Sequence, residues 1–62
     1  MLQLVLDEGI EKPVSINPYH IESIKPNYPS KRGTLIQMYS GRVYAVTERY
    51  HTLLDRLENY LG

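Results

Sequence analysis

Leu2, Leu4 and Leu6 alternate with Gln3 and Val5 in the stretch LQLVL, which is the two-residue period of a strand buried on one face. A different period closes the chain. From Glu48 onward Tyr50, Leu53, Leu54, Leu57 and Leu61 recur three and four residues apart, with Tyr60 beside them, so 48–61 carries one apolar stripe and is predicted to be an amphipathic helix. Its opposite face, Arg49, His51, Thr52, Asp55, Arg56, Glu58 and Asn59, is built for water. Thr47 is placed to cap this helix, Glu48 suits the positive end of its dipole, and Gly62 sits where it would stop. Earlier, Asp7-Glu8-Gly9 reads as a hairpin turn after which PVSI returns with Val14 and Ile16 on one face. Pro13 then falls at the first position of its strand, where no interior ladder bond is lost. TLIQMY and RVYAV form two further strands around Ser40-Gly41.

The stretch NPYHIESIKP, 17–26, fits neither period. Asn17-Pro18 pushes the chain out of the α region, and Asn can close a local side-chain turn. Ile21 and Ile24 are three apart, so a straight strand would point them to opposite faces. A single helical turn or a bulge at Tyr19 to Glu22 lets both face inward, which makes the segment a corner. After it, residues 25–33 combine two prolines, a glycine and three basic side chains, the mark of an exposed loop. The whole pattern predicts one small α+β domain over 1–62: an antiparallel sheet of about four to five strands within 1–46, and one C-terminal amphipathic helix.

Length sharpens this picture. With 62 residues, no cysteine and two histidines, the chain has neither a disulfide nor a structural zinc set to support a core close to the lower size limit of independent folding. Self-association supplies the missing burial, so a homo-oligomer is expected. No apolar run is long enough to span a bilayer and no apolar signal core follows a basic start, so a cytoplasmic location is expected. The formal net charge is zero, which argues against dedicated binding of duplex nucleic acid. Yet the charges are unevenly placed: Ser23 to Thr47 holds Lys25, Lys31, Arg32 and Arg42 with no acid, while residues 1–22 hold Asp7, Glu8, Glu11 and Glu22 against Lys12 alone.

Candidate chemistry is sparse. His20 near Glu22 has no placed nucleophile to serve, and His51 with Asp55 at helical spacing has no third ligand. Gly33 and Gly41 read as turn glycines, since neither opens a helix in a phosphate-cradling motif. No catalytic, metal or cofactor residue is assigned, and an enzyme is not expected. The anomaly is tyrosine, six residues with no Phe and no Trp. Tyr50 and Tyr60 belong to the helix stripe and are expected in a core or interface, whereas Tyr19, Tyr28 and Tyr39 are expected to be exposed, close in sequence to Lys31, Arg32 and Arg42. Tyr and Arg together favour binding hot spots. With His20 these six residues form the candidate binding set.

The run INPYHIESI, then GTLIQMYSGRVYAVTE, then a Leu-rich helix resembles the FlbD family of flagellar and swarming-motility proteins. Ile16, Asn17, Ile21, Ile24, Thr34, Ile36, Met38, Gly41, Tyr44, Val46 and Glu48 occupy the positions of that family's pattern. The resemblance implies a non-enzymatic accessory protein that acts as a small oligomer on a larger protein partner, without cofactor or catalytic residues. Similar short chains also occur in bacteriophages, which leaves an alternative open: a phage-encoded protein that sequesters a nucleotide-like anionic ligand, or inhibits a host system. In that alternative Tyr would stack on a base while Arg or Lys holds phosphate.

Overall fold

A computed structural model describes residues 1–27 and 32–62. Strands β1 (Leu2–Glu8), β2 (Ile10–Ile16), β3 (Ile21–Pro26), β4 (Thr34–Met38) and β5 (Val43–Val46) precede helix α1 (Tyr50–Leu61). They form one antiparallel sheet in the order β2-β1-β5-β4-β3. This is the small α+β architecture that the periodicity predicts.

Two strands run further than their apolar pattern. β1 and β2 pair without interruption from Leu2↔Ile16 to Glu8↔Ile10, turning on Gly9, so Asp7 and Glu8 belong to the ladder. Pro13 consequently lies in the middle of β2, opposite Val5, and not at the strand's start. It is tolerated because β2 is an outer strand, with one side that has no ladder to lose. At the other edge Lys25 and Pro26 pair with Leu35 and Thr34, so β3 takes the first two residues of the expected loop. The Asn27 N–H donates to the Gly33 carbonyl at 3.0 Å beyond them.

The corner forms by both expected devices. Pro18–His20 make a single 3₁₀ turn in which the Asn17 side-chain oxygen accepts from the Tyr19 N–H at 3.0 Å. The register then shifts between Ile21 and Ser23. One extra residue there restores the inward phase, and both Ile21 and Ile24 pack against the core.

That core is Leu2, Leu4, Ile16, Ile36, Val46, Leu53 and Leu57, with Leu6, Val14, Met38 and Tyr44 at its rim. α1 seats Leu53 and Leu57 on it, leaving Tyr50 and Leu54 half-buried and Tyr60 and Leu61 exposed. The buried stripe is therefore narrower than the sequence period. The helix also begins two residues later than predicted. Thr47 does not cap it, because its N–H donates to the Val5 carbonyl at 2.9 Å and holds the residue to the sheet. Arg49 occupies the cap position with no side-chain bond to the first turn. Glu48 instead forms an ion pair with Arg56, and its carbonyl accepts from the Thr34 hydroxyl at 2.7 Å. At the far end Gly62 closes the helix as expected, its N–H donating to the Glu58 carbonyl at 2.8 Å.

The glycines separate into two roles. Gly41 has φ of 96° and its N–H donates to the Met38 carbonyl at 2.9 Å, so it is a turn glycine. Gly33 is not. Its backbone passes so close to β5 that an added Cβ would overlap the Val46 carbonyl oxygen. Gly33→Ala must therefore displace backbone, with a loss of about 1–3 kcal/mol, which for a domain this small is a melting-temperature drop of at least about 5 °C. Thermal unfolding followed by circular dichroism checks this; an unchanged melting temperature would contradict the close approach.

Candidate functional site

The candidate residues divide between two ends of the sheet. Tyr39 follows β4, and its N–H donates to the His20 carbonyl at 3.0 Å, which ties the β4–β5 turn to the 3₁₀ turn carrying Tyr19 and His20. Arg42 closes the same turn, its carbonyl accepting from Met38 at 2.8 Å, and its guanidinium lies over the Tyr44 ring 5.3 Å from the centroid. Tyr19, His20, Tyr39 and Arg42 are thus brought together. Tyr19 and Tyr39 are 66% and 70% exposed.

Tyr60 joins them from the end of α1. Its ring meets Tyr19 edge to face at 6.2 Å, and its hydroxyl accepts from the Met1 amino group at 2.9 Å. Sequence period placed Tyr60 in the helix stripe; its partner could not be read from the sequence, because Tyr19 and Met1 reach it only through the fold.

Arg32 lies before β4, at the opposite end from Tyr39, and does not join this group. Tyr28 and Lys31 fall outside the described residues. Around Arg32 there are two adjoining concavities. One, of about 390 Å³, is lined by Pro26, Arg32, Gly33, Arg49, Tyr50, His51 and Thr52. Its ionisable side chains other than tyrosine are all basic, and it receives the uncapped first turn of α1. The His51 ring stands edge to face on Tyr50 at 5.3 Å. The other, of about 420 Å³, sets Asp7 and Glu11 across from Arg32 and Arg49 over Thr47. Period puts Arg49 on the helix's wet face; in the structure it is the N-cap residue of α1 and lines both concavities with Arg32.

The imidazole of His20 is exposed and no hydrogen bond among the described residues engages it. No group of three or more His, Cys, Asp or Glu is placed to hold a metal ion, and no helix is long and apolar enough to cross a membrane, again among the described residues. The two ends carry exposed aromatic rings with a cation at one, and a basic concavity at the other.

Comparison with protein-family models, with curated proteins and with solved structures returns no match.

The aromatic end also anchors the N-terminus. Tyr60→Ala removes both the ring contact and the acceptor for Met1, so amide hydrogen exchange at Leu2 and Gln3 is expected to quicken several-fold while the β4–β5 ladder stays protected, with about 0.5–1.5 kcal/mol lost overall. Unchanged exchange in β1 would show that the contact does not hold the terminus.

Proposed function

We propose that this chain is a non-catalytic interaction protein that docks a larger protein, as the FlbD-like resemblance implies, that its aromatic end is the docking surface, and that it works as a small cytoplasmic oligomer. The observation that carries this reading is the exposure of Tyr19 and Tyr39 beside Arg42 and His20. Large aromatic rings left in water are the anchors that partners bury, and a neighbouring guanidinium adds an orienting charge. The matching partner surface has a pocket for a tyrosine ring and a carboxylate for Arg42.

Affinity capture with the tagged chain tests it. A stoichiometric protein is expected with the wild type, and at least about tenfold weaker binding with Tyr19→Ala combined with Tyr39→Ala, a pair that loses the Tyr19–Tyr60 ring contact and whose folding is checked by circular dichroism. Failure to recover any stoichiometric partner, or full retention by the double variant, removes this reading.

The basic concavity supports the second reading, a protein that sequesters a nucleotide-like anion. Arg32 and Arg49 suit phosphate oxygens and Tyr50 offers a ring for a base. A thermal-shift series with nucleotides, cyclic nucleotides and short oligonucleotides addresses it: stabilisation that is lost in Arg49→Ala is expected, and no shift with any of them ends it.

A further inference from the structure

The sheet has two faces and α1 covers one. On the other face the register places a defined row across all the strands. Asp7 pairs with Glu11, Leu35 with Ala45 and Lys25 with Leu35, while Leu6↔Val46 sets Asp7 beside Ala45. The row therefore reads Glu11, Asp7, Ala45, Leu35, Lys25. Two carboxylates stand at one end, an ammonium at the other, and apolar side chains between. Val43 and Val5 flank it, 49% and 37% exposed.

Asp7 and Glu11 are like charges directly opposed across a β pair, an unfavourable arrangement unless a cation faces them. Arg32 and Arg49 line the same cleft as these two carboxylates, while the ion pair found among the described residues is Arg56 with Glu48. Lys25 at the far edge has no carboxylate partner among the described residues either.

A half-turn about an axis lying in this face, parallel to the strands and through the middle of the row, brings a second copy over the first with its row reversed. Lys25 of each copy then stands over Glu11 of the other with Asp7 next to it, Ala45 meets its own equivalent, and Leu35 lies over Asp7. A surface complementary to itself under a two-fold axis is what an isologous dimer requires. We propose that two copies associate face to face through this side of the sheet, each Lys25 pairing with Asp7 and Glu11 of the second copy. The proposal does not rest on partner docking at the aromatic end, which involves other residues.

The size of the face sets the strength. Five strands about 4.8 Å apart and roughly four residues deep at about 3.3 Å each give a footprint of about 300 Å². With side-chain relief this removes on the order of 1,000 Å² in total, the low end of specific interfaces. Association is therefore expected at micromolar concentrations, weakening as salt screens the end pairs.

Sedimentation of the full chain from about 5 to 500 μM tests this. The wild type is expected to pass from monomer to dimer over this range. Lys25→Glu alone, and Asp7→Lys with Glu11→Lys in one chain, are each expected to weaken dimerisation at least tenfold, because each homodimer sets like charges together at both ends. An equimolar mixture of the two variants is expected to recover a dimer, since every charged contact in the mixed pair is again of opposite sign. Circular dichroism confirms that each variant is folded, and Val43→Glu gives an independent disruption at the apolar flank. A wild type monomeric at 500 μM, single variants that dimerise like the wild type, or a mixture that stays monomeric would each overturn the proposal. The proposal rests on the oligomer named in the proposed function, which a monomeric wild type would remove as well, but these outcomes leave capture through Tyr19 and Tyr39 untouched, so partner docking and this dimer fail separately.

Discussion

Burial of Leu53 and Leu57 against one face of the sheet is the constraint on which the rest of this fold depends. Without cysteine, a chain this short stabilises itself mainly by removing apolar surface from water, and among the described residues it has one α-helix with which to do so. Leu2, Leu4, Ile16, Ile36 and Val46 are drawn from β1, β2, β4 and β5 to meet that helix. A single layer of helix can cover a single face. The second face and both ends are left in water as a direct result, and they are where the chain has chemistry to offer.

The position of the helix is set by a short connection held on several sides. Thr47 remains tied to β1, the buried Thr34 hydroxyl donates to the Glu48 carbonyl, and the Glu48 carboxylate reaches forward to Arg56. Gly33 admits the close passage of backbone beside Val46 just before this connection. Buried hydrogen bonds of this kind contribute about 1 kcal/mol each, less than the apolar contacts, but they are directional. They decide where the first turn of α1 starts, and so where Arg49 and His51 stand relative to Arg32.

Aromatic rings and charges are thereby sorted in space. Tyr19, Tyr39 and Tyr60 collect at the end where the 3₁₀ turn, the β4–β5 turn and the helix terminus converge. Arg32, Arg49 and His51 collect at the other, and the bare sheet face between carries carboxylates at one margin and Lys25 at the opposite one. The surfaces proposed here for a protein, an anion and a second copy therefore draw on different residues.

Local rules made much of this legible in the sequence. Period alone identified the strands around LQLVL, TLIQM and VYAV and the C-terminal helix, because alternation and three-to-four spacing are properties of each segment in isolation. The corner at NPYHIESI was equally readable, since Pro18, Asn17 and the Ile21–Ile24 spacing act within a few residues. Tertiary contact decided the remainder. Asp7, Glu8, Lys25 and Pro26 became strand because a neighbouring ladder offered hydrogen bonds that their own composition does not announce. Thr47 was withheld from the helix by Val5, a residue distant in sequence. The candidate set divided for the same reason: Tyr19 and Tyr39 meet through one backbone hydrogen bond, and Arg32 is held away by the length of β4. Sequence by itself settled which faces are apolar; which of them is covered, and what shares an end with what, depends on long-range pairings that no local pattern encodes.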